Sequence, residues 1–219
     1  AYEAVASTGG QLMPPIMGAA AFLMAELLVV SYWTIVWYAT IPALCFYGLM
    51  LLSAPKGEVD TSPAKVKLRL PDFKKTVLQI VDAMYGMIIL GAGIGLMIGI
   101  MDQTGLIYLV TGFLSKLSMG SPVALLVMTA FLCIILGMGM PTGAAYLVVA
   151  IVTTPSLIEV GFTEIWAHMF VLYFATLSMI TPPVAIASFA AAKMTDTNPI
   201  TTSLTAMYIA WPLYFLPFI

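Results

Sequence analysis

The sequence predicts an all-α polytopic membrane protein with discontinuous helices, a re-entrant hairpin and an inverted repeat. Three observations carry that expectation: the scarcity of charge, one isolated basic loop, and two proline pairs inside apolar segments. Of the 219 residues, 62% are hydrophobic and 8% charged, against about 25% charged in soluble domains. That leaves too little polar surface to keep a globule in water. Eight Lys and Arg against ten Asp and Glu give a net charge of −2, which excludes a basic face for nucleic acid. Cys45 and Cys133 lie within apolar runs, where a thiol behaves as a small hydrophobe and not as half of a disulfide framework. His168 is the single histidine, too little for a His/Cys metal cage or a Ser-His triad, so a hydrogen-bonded structural role is expected for it. The opening AYEAVASTGG has no basic leader region and reads as part of a longer polypeptide.

A window of about 20 residues, the length of helix that crosses a bilayer, marks apolar segments near 4–30, 32–53, 77–101, 121–157, 165–192 and 200–219. They divide the chain into six parts. Residues 1–53 are a helix broken at Pro14-Pro15 followed by a membrane helix. Residues 54–75 hold Lys56, Lys65, Lys67, Arg69, Lys74 and Lys75, six of the eight basic residues, and the positive-inside rule places this loop in the cytoplasm. Residues 76–120 are an outward-running helix ending at Asp102 and an arm, 106–119, too short to span and amphipathic enough to lie at the interface. Residues 121–157 are apolar but interrupted at GMGMPTG. Each arm of about 16 residues reaches only roughly 24 Å, so a re-entrant hairpin is expected. Residues 158–192 are a helix broken at Pro182-Pro183, and 193–219 are the last membrane helix. The absence of Lys and Arg from 156–166 agrees with a return to the outer face.

The proline pairs mark a repeat. GQLMPPI (10–16) and SMITPPV (178–184) each place a small residue four positions before the pair and a β-branched residue after it. By the crossing count the two segments run in opposite directions, as in transporters whose broken helices meet near the midplane. A proline pair cannot continue the helix before it but suits the first turn of a new one. Unwound joints are therefore expected at Ser7 to Met13 and Leu177 to Thr181. Unpaired backbone in hydrocarbon costs several kcal/mol per group and survives where it lines a cavity or binds something. The joint hydroxyls Ser7, Thr8, Ser178 and Thr181 suit a hard monovalent cation, and the half-helix N-termini suit an anion. At the hairpin tip, Gly137 and Gly139 permit the turn, Pro141 opens the second arm and Thr142 adds a hydroxyl. A lone proline kink usually reflects packing, whereas two pairs and a GMGMP break in one short chain favour a site. Gly91, Gly93, Gly95 and Gly99 read as a stripe for close helix packing, and neither glycine cluster follows a strand as a dinucleotide fingerprint would. The 16 methionines are adaptable apolar filling. Glu26 falls near the outer interface in a capping or packing role.

ASTGGQLMPPIMGAAAF, LGMGMPTGAAY and AHMFVLYFATLSMITPPVAIASFAAA together resemble the large membrane subunit of tripartite ATP-independent periplasmic (TRAP) transporters, specifically the fused permeases of the TAXI branch. The resemblance spans essentially the whole chain in family order. It implies an elevator-type secondary transporter, driven by a sodium or proton gradient, that takes an organic acid from a periplasmic binding protein in a bacterial or archaeal cytoplasmic membrane. By the matching motifs, one ion site would involve Ser7, Thr8, Gly9, Gly10 and the helix opening at Pro14 and Pro15. A second would involve Gly137, Met138, Gly139, Met140, Pro141 and Thr142 with Ser178, Thr181, Pro182 and Pro183, and the substrate carboxylate would lie between them. Such permeases carry further upstream helices and a first hairpin. The 219 residues are thus expected to be the later part of a permease that needs that scaffold as partner, along with lipid and the binding protein. No cofactor is expected beyond Na⁺ or H⁺; oxygen ligands without carboxylates favour Na⁺. The rival readings are a membrane assembly or binding subunit that does not transport, and an intramembrane enzyme, which lacks the paired carboxylates or His/Asp set that catalysis requires.

Overall fold

The computed structural model describes residues 1–53 and 73–219; most of the basic loop, 54–72, lies outside them. The described residues form ten α-helices and no strand: α1 (Tyr2–Gly9), α2 (Ala19–Leu27), α3 (Tyr32–Leu52), α4 (Phe73–Gln103), α5 (Leu106–Leu117), α6 (Pro122–Gly137), α7 (Thr142–Glu159), α8 (Glu164–Leu177), α9 (Ile186–Met194) and α10 (Pro199–Ile209). Two of these, α3 and α7, are long and apolar enough to cross a membrane.

The core is built around α7 and α8. Helix α7 packs against α2, α4, α5, α6 and α8, and α8 is buried without interruption from Ala167 to Leu177. The four-residue spacing of Trp166, Phe170 and Phe174 puts their rings on one face of α8, and Phe162, just ahead of the helix, stacks on Trp166. Successive centroids lie 4.4, 5.3 and 4.9 Å apart. Buried hydroxyls inside the helices return to the carbonyl one turn back, as in Thr153 to Val149 (2.9 Å), Thr154 to Ala150 (2.7 Å) and Thr176 to Leu172 (2.8 Å). That local pairing keeps polar atoms satisfied where no water reaches. His168 takes the hydrogen-bonded role expected of it, with Nδ1 2.8 Å from the Tyr146 hydroxyl of α7. Both cysteines are free.

Four elements differ from their expectations. Both half-helices that follow the proline pairs open late, at Ala19 and Ile186, not at the prolines. The first proline of each pair precedes another proline, and that position is driven out of the α region. The last segment is no single helix: α10 has 11 residues and is followed by 3₁₀ turns at Trp211–Tyr214 and Leu216–Phe218, because Pro212 and Pro217 each remove a helical donor. Helix α5 does not carry a polar outer face. Its Thr111 is buried against α7, where the Ser156 hydroxyl donates to the Thr111 carbonyl (3.4 Å), while Tyr108, Leu109 and Phe113 are exposed. Finally, Gly93, Gly95 and Gly99 of the glycine stripe meet nothing within 4 Å among the described residues, so the close packing expected there is not made among those residues.

Candidate functional site: three chain breaks that meet

The first break runs from Gly10 to Gly18. Four hydrogen bonds account for the last carbonyls of α1. Gly10, Gln11 and Leu12 donate to Ser7, Thr8 and Gly9 at 3.2, 3.2 and 2.9 Å, and the Tyr47 hydroxyl of α3 donates to Ala6 at 3.0 Å. The loop then closes on itself, with Gly18 N–H donating to Gln11 at 2.8 Å. A Cβ on Gly18 would stand 3.2 Å from that of Gln11, so a larger residue there would press on the closure. A second tyrosine of α3, Tyr32, donates to the Pro15 carbonyl at 2.9 Å. Thr8 is buried and donates to Ala4 at 2.7 Å, which leaves the lone pairs of its oxygen available to a cation. Gly9 is pressed against Phe46, where an added Cβ would lie 2.8 Å from ring Cδ1. Ser7 faces away: it is exposed, and its hydroxyl donates to Glu3 at 3.2 Å.

The second break passes through a 3₁₀ turn, Ser178–Ile180, and the bend to Ala185. Ser178 donates to Ala175 at 2.8 Å and Thr181 to Leu177 at 2.8 Å. With its one proton used, Thr181 Oγ1 accepts from the Tyr214 hydroxyl at 2.6 Å. Each break is thus steadied by tyrosine hydroxyls from a flanking element, Tyr32 and Tyr47 for the first and Tyr214 for the second. The Pro14–Pro15 and Pro182–Pro183 bonds are both cis.

The third break, the α6–α7 tip, meets the second break and α2, the helix that follows the first. Gly137 lies on Ser178: a Cβ there would meet the Ser178 hydroxyl and stand 2.8 Å from its Cβ. Gly139 has φ +77°, a left-handed turn that calls for glycine, and a Cβ there would make ordinary contact with Val184 Cγ1 at 3.4 Å. On its other side, Gly143 faces Leu23 of α2, where an added Cβ would lie 3.3 Å from Cδ1. Helix α1 packs against both the 3₁₀ turn and α9. The described residues therefore bring Gly137 onto Ser178 and set α1, which carries Thr8 and Gly9, against the 3₁₀ turn that carries Ser178; Gly139 and Thr142 lie on the hairpin tip and Thr181 just past the 3₁₀ turn. Gly139, Pro141, Pro183 and Val184 are exposed. Thr142 is buried, and its hydroxyl has no partner among the described residues. The same holds for Ser188 of α9. Among the described residues no group of three or more His, Cys, Asp or Glu gathers for a multivalent metal, so the oxygen donors of the breaks are hydroxyls and backbone carbonyls.

The residues that sequence reasoning missed are the partners supplied from a distance: Phe46, Tyr47, Tyr214, Val184 and Ser188. Gly18 was the legible one, since a glycine just ahead of AAAF, after a proline pair, marks where a chain must turn tightly before a helix.

This geometry can be set beside known proteins. The family described as "Tripartite ATP-independent periplasmic transporter, DctM component" matches residues 1–94 and 64–219. The chain belongs to this family. No curated protein and no solved structure matches it. As a DctM protein it is a multi-pass helical membrane component of a TRAP transporter, with a permease role and not an enzymatic one, and TRAP permeases generally work with a periplasmic binding protein. The membership accounts for the apolar composition and for exposed side chains such as Trp37, Ile41 and Leu44 on α3, which a bilayer would cover.

Proposed function

We propose that this DctM protein is the transport-domain part of a TAXI-type permease that imports a small organic acid by an elevator motion, coupled to sodium. The single observation that supports this reading is the contact of the hairpin with both broken segments, Gly137 on Ser178 of the second break and Gly143 beside Leu23 of α2, the helix that follows the first break. Breaks that served only to bend helices would have no reason to converge. Broken helices placed together combine carbonyl and hydroxyl oxygens for a cation with helix N-termini for an anion, the arrangement that secondary transporters use at depth.

On this reading the cation is held by Thr8 and the α1 end on one side, and by Met138, Met140, Thr142, Ser178 and Thr181 on the other. The prolines Pro14, Pro15, Pro141, Pro182 and Pro183 keep the joints from winding into continuous helix. A hydroxyl that donates backward to a carbonyl, as Thr8 and Thr181 do, coordinates through a lone pair without losing its local bond; Thr8 keeps two such pairs and Thr181 one, the other accepting from Tyr214. Ser7 and Gly10, both exposed, contribute backbone and not side chain to the first site. The partners are a TAXI-type periplasmic binding protein, the scaffold and first hairpin of the permease, and lipid. The membrane is the cytoplasmic membrane of a bacterium or archaeon, with 54–75 inside and 121–157 re-entrant from outside. The test is uptake into liposomes by the full assembly under separately imposed gradients. A sodium gradient should drive accumulation at constant pH, and uptake that follows a pH gradient and ignores sodium would refute the coupling.

A further inference from the structure

Four buried hydroxyls have no partner among the described residues, those of Thr129, Thr142, Tyr173 and Ser188. Of the four, only Tyr173 stands in the wall of a cavity of about 430 Å³ between α3, α8 and the 3₁₀ turn at Leu216–Phe218. That volume falls within the range of about 300–1,000 Å³ usual for small-molecule sites. The wall includes Tyr38, Pro42 and Cys45 of α3, Trp166 and Tyr173 of α8, and Leu216, and no charged side chain lines it. Ile41, also in the wall, is 72% exposed. With Trp37 four residues before it and Leu44 three after, both exposed, it belongs to one stripe of α3, the stripe that a bilayer would cover. The cavity therefore opens toward lipid.

Two residues of this wall carry polar groups in need of partners. Tyr173 is 3% exposed, and its hydroxyl, able to donate and to accept, does neither among the described residues. Its electrostatic neighbours are Cys45, itself in the wall, and Tyr214. The second group comes from the backbone of α3. Pro42 lies inside that helix and has no N–H to return to the carbonyl four residues back, that of Tyr38. Unpaired polar groups are costly in hydrocarbon. An acyl chain would fill the space and leave both groups without a partner, and a charged headgroup would find no counter-charge. A hydroxyl both donates and accepts, so one such group answers a phenol and a carbonyl alike.

We propose that this cavity is a binding site for an uncharged apolar alcohol drawn from the bilayer, with its hydrocarbon body against the rings of α3 and α8 and its hydroxyl paired with that of Tyr173. The site is separate from the chain breaks but is linked to them by contact. Tyr173 packs edge-on against Phe46, with ring centroids 6.1 Å apart, and Phe46 lies on Gly9 at the end of α1. Its other neighbour, Tyr214, donates to Thr181 of the second break. Tyr173 thus stands between the cavity and side chains that touch both broken segments.

The test uses Trp166, which lines the cavity, as reporter. The intact permease, with Trp166 kept as its only tryptophan, is held in phosphatidylcholine nanodiscs and titrated with bromodecanol, whose bromine quenches indole on contact. Bromodecane at the same mole fraction measures contact from the lipid at large. Bromodecanol should quench saturably and beyond bromodecane. Its affinity should fall about five-fold in Tyr173→Phe, the worth of one hydrogen bond between neutral groups. Because the Tyr173 hydroxyl has no partner in the fold, that variant should unfold, without probe, at or above the temperature of its parent. Cys45→Phe, which fills the cavity from α3 and leaves Tyr173 in place, should abolish the excess quenching. Equal quenching by the two probes, quenching that does not saturate, or an unchanged affinity in Tyr173→Phe overturns the inference. So does a lowered unfolding temperature in Tyr173→Phe, which would show the hydroxyl already paired, or excess quenching that survives Cys45→Phe.

Discussion

Replacing Gly137 by alanine probes the contact on which the convergence depends. The added Cβ would meet the Ser178 hydroxyl, stand 2.8 Å from Ser178 Cβ and lie 3.5 Å from Ala145 Cβ. Carbon atoms rest at about 3.5–4.0 Å, so the alanine contact is ordinary and the serine contact is short by about 0.7 Å. The hydroxyl could escape by rotating, but that breaks its 2.8 Å bond to the Ala175 carbonyl and buries it unpaired. Overpacking costs about 1–3 kcal/mol and the lost hydrogen bond about 1 kcal/mol, so Gly137→Ala should destabilise by about 2–4 kcal/mol. The assay is reversible unfolding in mixed micelles, run as a double-mutant cycle with Ser178→Gly, which removes both clashing atoms. A coupling of about 1 kcal/mol or more in the direction of rescue is expected. A single variant within about 0.5 kcal/mol of wild type, or strictly additive effects in the cycle, would refute the contact.

Other expectations follow from neighbouring geometry. Tyr146→Phe removes the partner of His168 Nδ1 and leaves that nitrogen buried, at a cost of about 1–3 kcal/mol in the same unfolding assay; combined with His168→Leu the loss should be smaller than the sum of the two single losses. Asn198→Ala deletes the cap of α10 and should cost about 1 kcal/mol, with faster hydrogen exchange at Ile200 and Thr201 and none at α7. Gly139→Val forces a β-branched residue to a φ of +77° beside Val184, and should abolish sodium-dependent stabilisation even where the protein still folds.

The parts of this structure that were legible in sequence are those set by chemistry close along the chain. Proline pairs and GMGMP locate the three breaks because missing donors and missing side chains act on their own neighbours. Where the helices resume was less legible. A proline at the first turn would suit a new helix, but the residue before a proline is disfavoured in helical geometry, and in Pro14-Pro15 and Pro182-Pro183 the same residue answers to both rules. The tertiary partners were not legible at all. Helix α3 is apolar around its whole circumference, so nothing local distinguishes Phe46, buried against Gly9, from Leu44, exposed at 60%. In a membrane protein the lipid face and the core face draw on the same residues, and periodicity loses the contrast on which it depends. Tyr47 and Tyr214 carry a weak signal, a polar tip on an apolar body, but which carbonyl or hydroxyl each would satisfy is decided by folding.

The central claim is that the meeting breaks bind sodium, and the most direct measurement is sodium-dependent thermal stabilisation of the intact permease with and without Thr181. Thr181→Ala strands the Tyr214 hydroxyl and the Leu177 carbonyl, so its unfolding temperature without sodium should fall. The decisive quantity is therefore the increment that sodium adds to each protein over a potassium control. The account predicts a sodium-specific increment in the wild type that is retained in Thr181→Ser and lost in Thr181→Ala. An equal increment in Thr181→Ala, or a wild type that responds to sodium no differently from potassium, would contradict it.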